Sequence, residues 1–162
     1  MVTRLPRTNS TFPDPQQMQR LDHQLCFALY SSSLLMTKLY KPVLGALGLT
    51  YPQYLVLLVL WETDHVMVSE LGERLFLDSG TLTPLLKRME AAGLLTRTRA
   101  VDDERRVIVG LTATGRALRR QAEGVPLAVG CATGCKLDEL TALTAQLQAL
   151  RANVATHVAL AA

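Results

Sequence analysis

Cys26 stands at the head of a row of hydroxyl-bearing residues: Tyr30, Ser33, Thr37 and Tyr40 follow it at spacings of 4, 3, 4 and 3. If this stretch is helical, all five share one face, because residues three and four apart are neighbours on a helix. A cysteine on a helix is most often inert packing. Hydroxyls change the case, since each can donate a hydrogen bond to a thiolate and favour the anion, the form that attacks oxidants. Tyr30, one turn away, can reach the sulfur. Tyr40 cannot do so within its own chain, because the fourteen-residue separation spans roughly 21 Å of helix. It could serve Cys26 only from a second copy of the chain, and Tyr51 is equally well placed to do the same. His23 is near in sequence but reads as a surface residue.

Two further cysteines, Cys131 and Cys135, stand in C-A-T-G-C. That spacing is neither the C-x-x-C of redox enzymes nor a zinc-ribbon arrangement, and no histidine or second cysteine pair completes a metal site. No metal or other cofactor is expected. Following Gly124 and Pro126, the segment reads as mobile, which makes Cys131 a candidate resolving thiol for an oxidised Cys26. Three cysteines and no secretion signal point to a reducing cytoplasm, where disulfides serve as switches.

The elements that must position these thiols are mostly helices. A first helix is predicted from about Met18 to Tyr40, ending before Pro42. A second starts at Thr50, with Gln53 completing a capping box, and runs to about Glu62. Thr112 caps a helix through about Ala122, which Gly124 and Pro126 break. A last helix over about Leu137 to Val158 carries Leu140, Leu143, Leu147, Leu150, Val154 and Val158 as a sustained apolar seam. Long helices at both ends exceed what a small core can cover, so the seam predicts a two-fold partner. Residues 1–17, rich in proline and small polar residues, read as a mobile arm. No stretch approaches the length of a membrane span.

Between these helices, residues 68–111 read as short helix, turn, second helix and two-stranded hairpin, the plan of a winged helix-turn-helix. The short helix is expected from about Ser69, as N-cap, to Phe76. Asp78 or Ser79 can cap the next helix, in which Leu82, Leu85, Leu86 and Met89 face a core. Its outward residues are Ser79, Thr81, Thr83, Lys87 and Arg88, hydroxyls first and cations later, an order suited to base edges and then phosphates. Pro84 is expected near the helix start, where its missing N–H matters least, and Gly93 as a left-handed cap. Strands over Leu94–Ala100 and 107–111 bracket a charged loop. Its Arg105 and Arg106 suit phosphates or a narrow minor groove, while Asp103 is expected to brace an arginine within the wing. From Ser79 to Arg120 nine Lys/Arg face four acids, a local +5 in a chain of net +3, so the positive charge gathers where phosphates would lie.

These residues resemble the MarR family of winged-helix regulators, specifically the branch that responds to organic hydroperoxides. The motifs are L-D-H-Q-L-C-F-A-L-Y-S at 21–31, L-T-Y-P-Q-Y at 49–54, L-D-S-G-T-L-T-P-L-L-K-R-M-E at 77–90 and D-E-R at 103–105. The resemblance implies a mainly α fold: a winged helix-turn-helix over about 50–112, dimerisation helices over about 18–45 and 113–160, and one small β-hairpin wing. It implies a homodimeric repressor that binds double-stranded operator DNA and senses organic hydroperoxides through Cys26. Tyr30, Tyr40 and Tyr51 would hydrogen-bond the thiolate, Cys131 would resolve it across subunits, and Arg105 would enter the minor groove at the wing tip. Two alternatives stand beside this: a regulator sensing a phenolic ligand with Cys26 merely buried, and a thiol peroxidase. The second lacks any use for a basic helix-wing unit, so the chain is not expected to be an enzyme.

Overall fold

The computed structural model describes residues 15–100, 103 and 106–161. They fall into two compact units, one reaching to Lys38 and the other beginning at Leu39.

The first unit opens with α1 (Pro15–Met18) and a 3-10 turn at Leu21–His23 before α2 (Leu25–Gly45) begins. The expected uninterrupted start at Met18 is therefore corrected. The Gln24 carboxamide donates to the Met18 and Arg20 carbonyls, which gives these carbonyls partners without a continuous helix. Residues 15–17, expected in the arm, include most of α1, and the rest of the arm lies outside the described residues.

Pro42 does not end α2 as expected; it lies inside the helix. An interior proline costs about 3 kcal/mol. Burial of Leu44 and Leu49 at the helix end, at roughly 1.5–3 kcal/mol for each leucine, offsets it. The helix closes at Gly48, whose φ of 67° is left-handed, with the Leu49 N–H donating to the Leu44 carbonyl at 3.0 Å.

Helix α3 (Tyr51–Glu62) begins with the expected capping box: Thr50 receives the N-terminal amide, and its own N–H donates to Gln53 Oε1 at 2.8 Å. It is apolar nearly all round and forms the centre of the second unit, packing against α4 (Val68–Leu75), α5 (Ser79–Ala91) and α6 (Ala113–Gln121). The sheet has three strands rather than the expected two. β1 (Val66–Met67) joins the hairpin of β2 (Leu95–Arg99) and β3 (Val107–Leu111) in the antiparallel order β1-β3-β2. Two residues are too few for a strand period to register in sequence. Because β1 feeds directly into α4, its N-cap is Met67, with no side-chain cap, and Ser69 lies inside the helix. Helix α6 packs so closely that a Cβ on Gly115 would sit 2.0 Å from the Leu94 carbonyl oxygen. There the Trp61 indole donates to the Gly115 carbonyl at 2.9 Å.

Helix α6 breaks after Gln121 as expected, but the segment beyond is a new helix, α7 (Val125–Ala132), with Gly124 as N-cap and Pro126 in its first turn. Proline is pre-set for that position and loses nothing there, while Val125 and Val129 are buried. Helix α8 (Leu137–Ala161) follows. None of the described helices is long and apolar enough to cross a membrane.

Candidate nucleic-acid interface and thiol site

Helix α5 separates its faces as the sequence predicts. Leu82, Leu85, Leu86 and Met89 are buried; Ser79, Thr81, Lys87 and Arg88 are exposed, and Thr83 is half-buried. Asp78 is the N-cap: its Oδ1 accepts the Thr81 N–H at 2.8 Å, and the Thr81 hydroxyl donates to Oδ2 at 3.0 Å. These bonds from the Thr81 backbone and side chain hold the Asp78 carboxyl below the usual carboxylate range. The Thr81 hydroxyl proton is thus committed to the cap, leaving its oxygen as an acceptor toward solvent. Pro84 is not at the helix start but is the sixth residue of α5. Lacking an N–H, it leaves the Gly80 carbonyl without its helical donor on the exposed face. Gly93, with φ 70°, closes the helix as expected.

The hairpin beside α5 is a five-pair ladder from Leu95↔Leu111 to Arg99↔Val107. Near its tip the Arg106 N–H donates to the Asp103 carbonyl at 2.9 Å. The Arg106 guanidinium turns back onto β1, its Nε and Nη2 lying 3.4 and 3.3 Å from Met67 Sδ. Arg105 lies outside the described residues. A groove of about 620 Å³, lined by Phe76, Leu77, Ser79, Arg106 and Val107 among others, separates the start of α5 from the wing. Arg106 is the one cation among the described residues that line it.

Some cations of the basic segment are committed elsewhere. Arg116 Nη1 lies 2.9 Å from Asp64 Oδ2, while Asp64 Oδ1 accepts the N–H groups of Leu111 (2.8 Å) and His65 (2.9 Å). Burial alone would raise the Asp64 carboxyl. The two backbone bonds, His65 and Arg116 outweigh it and hold the group below its ordinary value.

On the thiol side, Cys26 is exposed near the start of α2, and Tyr30, one turn on, is 62% exposed. Ser33 is exposed, and the Thr37 hydroxyl donates to the Ser33 carbonyl at 2.9 Å. Its proton goes to the helix backbone and not to the sulfur. In the second unit Tyr40 and Tyr51 are brought together, with ring centroids 4.6 Å apart. Tyr54, which sequence reasoning passed over, joins them at 6.0 Å from Tyr40. Its position three residues after Tyr51 on a helix was the available signal. Burial, reinforced by Tyr51 and Tyr54, raises the Tyr40 phenol; burial also raises Tyr51 and Tyr54. These phenols stay protonated at neutral pH and can act as donors.

Cys131 is on helix α7 and not in the mobile segment expected, while Cys135 follows the left-handed Gly134. The Cys135 N–H donates to Thr133 Oγ1 at 3.2 Å. All three cysteines are free and exposed. Among the described residues no group of three or more His, Cys, Asp or Glu could hold a metal ion. A further contact escaped the sequence: Arg151 of α8 lies 4.8 Å over the ring of Phe76, which ends α4 with a φ of 55°.

A family model described as the transcriptional regulator SarA/Rot matches residues 38–121. The chain is 56% identical over 107 residues to the organic hydroperoxide resistance transcriptional regulator of Bacillus subtilis, covering 66% of this chain and 73% of that one. It is 51% identical over 138 residues to the HTH-type transcriptional regulator TtmR of Methylorubrum extorquens, covering 85% and 69% respectively. AbfR of Staphylococcus epidermidis, solved reduced and bound to DNA, superposes with a TM-score of 0.69 at 37% identity, over 86% of this chain and 97% of that one. Disulfide-formed AbfR superposes at 0.58 and 39% identity, over 83% and 95%. These relatives are regulators, not enzymes. With its winged helix-turn-helix fold, the chain belongs to the SarA/Rot family of MarR-like transcriptional regulators, alongside the organic hydroperoxide resistance regulator.

Proposed function

We propose that the protein is a homodimeric repressor that binds operator DNA through α5 and the wing and lets go when an organic hydroperoxide oxidises Cys26. The observation that carries this reading is an exposed, free Cys26 in a chain that is 56% identical over 107 residues to an organic hydroperoxide resistance regulator. Ser79, Thr81 and Thr83 would approach base edges or phosphates; Lys87, Arg88, Arg105 and Arg106 would neutralise the backbone, with Arg105 in the minor groove. Asp103 would brace the wing from within.

The chemistry runs in two balanced steps. The Cys26 thiolate attacks the peroxide oxygen, giving a sulfenic acid and releasing the alcohol. The sulfenic acid then condenses with the thiol of Cys131 of the partner subunit, giving a disulfide and water. Tyr30 in the same chain, and Tyr40 and Tyr51 as protonated donors, would stabilise the thiolate. A disulfide requires Cα atoms roughly 4.4–6.8 Å apart. Cys131 stands near the end of α7, so any movement that brings the two thiols to that distance would be carried by helices and could displace a recognition helix. That AbfR has been solved both reduced on DNA and in a disulfide state supports this order of events.

The test is DNA binding before and after cumene hydroperoxide, with non-reducing electrophoresis of the same samples. Release of DNA with a crosslinked dimer is expected. Cys131→Ser should form sulfenic acid without the crosslink. Release with no change at any cysteine would overturn the reading.

A further inference from the structure

Arg97 belongs by sequence to the cations of the basic segment, yet in the fold it faces away from that task. Its Nε and Nη2 lie 2.9 and 2.6 Å from Glu90 Oε2, and its backbone N–H donates to Glu90 Oε1 at 2.9 Å. Both carboxylate oxygens are therefore used, and both partners are partly buried. The Arg97 fork lowers the Glu90 carboxyl from its ordinary range. Glu90 is in the last turn of α5, and Arg97 is the middle residue of β2. Arg97 pairs with Val109, and Val109 with Val66, so the clamp grips one of the two rows that cross all three strands. A second tie reinforces it: the Thr112 hydroxyl lies 2.7 Å from the Gly93 carbonyl and 3.1 Å from that of Leu94, on the turn between α5 and β2.

We infer that Glu90 and Arg97 are positioning residues that set the angle of the wing against the recognition helix, and so decide whether both elements can engage one duplex together. The inference rests on the DNA-reading interpretation proposed above. The helix and the wing must meet different grooves. A tilt of roughly 10° at the base of a hairpin whose tip is about 15–20 Å away moves that tip by about 3 Å, the length of a hydrogen bond. Two guanidinium N–H groups converging on Oε2, with the Arg97 backbone N–H on Oε1, fix angle as well as distance, which a single point charge does not. The simpler role for Glu90 is to cover the outward N–H of an edge strand. The two roles separate experimentally, because glutamine can still accept that N–H but carries no charge for the fork.

The experiment is a hydroxyl-radical footprint and a binding titration under reducing conditions, on a duplex that the wild-type protein selects from a randomised pool. Glu90→Gln and Arg97→Lys, which loses the fork but keeps the charge, are compared with wild type, and each variant's thermal midpoint is measured. Both variants are expected to lose roughly tenfold in affinity, on the scale of one groove contact. Protection should fade at the flanking minor groove while the central major-groove protection persists. Full affinity with intact flanking protection in both variants overturns the inference. So does a uniform loss across the footprint that tracks a lowered thermal midpoint, the mark of plain destabilisation. A wild-type protein that selects no duplex overturns the DNA-reading interpretation itself, a failure seen before any variant is made.

Discussion

Between Tyr51 and Leu111 the chain satisfies its own needs, whereas along α8 it does not. In the winged region Leu60, Leu71, Leu82, Leu86 and Met89 are all 1% exposed or less, and the first turns of α3 and α5 are capped by side chains. On α8, Leu143, Leu147, Val154 and Val158 stand 51, 38, 52 and 63% exposed along the predicted seam. Both regions carry the same leucine-rich helical period, so period alone does not tell a self-covered helix from one awaiting a partner. Burial separates them. A soluble chain seldom leaves so long an apolar stripe open, and the proposed homodimer is the cover that a second copy would provide.

The largest expected effect comes from breaking that open side. Leu143→Asp with Leu150→Asp should abolish the dimer in sedimentation, since two seam leucines contribute roughly 1.5–3 kcal/mol each and buried charges cost more. The winged region should stay folded by circular dichroism. A wild-type chain that sediments as a folded monomer would remove the distinction between the two regions. Breaking the self-sufficient side is next: Leu60→Ala, at a fully enclosed site, should lower thermal stability by about 2–5 kcal/mol. A loss below about 1 kcal/mol would mean that the site collapses around the cavity.

How much of this was legible follows from where the information sits. The Thr50–Gln53 box, the Asp78 and Thr112 caps and Gly93 are local devices, written within four residues, and each appears where sequence places it. The prolines were misread because their cost is local but the gain is not. Pro42 and Pro84 stay inside helices whose buried leucines outweigh a lost bond, and Pro126, beyond the expected break, sits in the first turn of a helix that was not expected. β1 exists only because β3 offers Val109 and Ile108 as partners. Among candidate site residues, the exposed face of α5 was readable from its period. The commitment of Arg116 to Asp64, fifty-two positions away, was not, because charge counts carry no pairing. Nor was the meeting of Tyr54 with Tyr40.

Smaller effects refine the comparison within the winged region. Arg105→Ala should weaken operator binding by about 1–3 kcal/mol, the worth of one groove contact, with the dimer and Cys26 oxidation unchanged. Unchanged affinity at physiological salt would take the wing out of the binding surface. The least effect is expected from acid. Asp64 has a folded pKa below its ordinary value, so its contribution is full above about pH 4 and is lost as pH falls through the lower folded value. Thermal midpoints followed from about pH 5 to pH 2 should fall less steeply in Asp64→Asn than in wild type. Equal slopes would show that the Leu111, His65 and Arg116 bonds add nothing to the charged form.

The central claim is that Cys26 is where the peroxide signal enters. The most direct measurement compares wild type with Cys26→Ser in DNA release as cumene hydroperoxide is added, each starting from the reduced, DNA-bound protein. Wild type should release its duplex and form a crosslinked dimer that a reductant reverses. Cys26→Ser should bind the same duplex with the same affinity and hold it at every peroxide concentration that empties the wild type. Release of DNA by Cys26→Ser at those concentrations, with or without a crosslink through Cys131, would contradict the account.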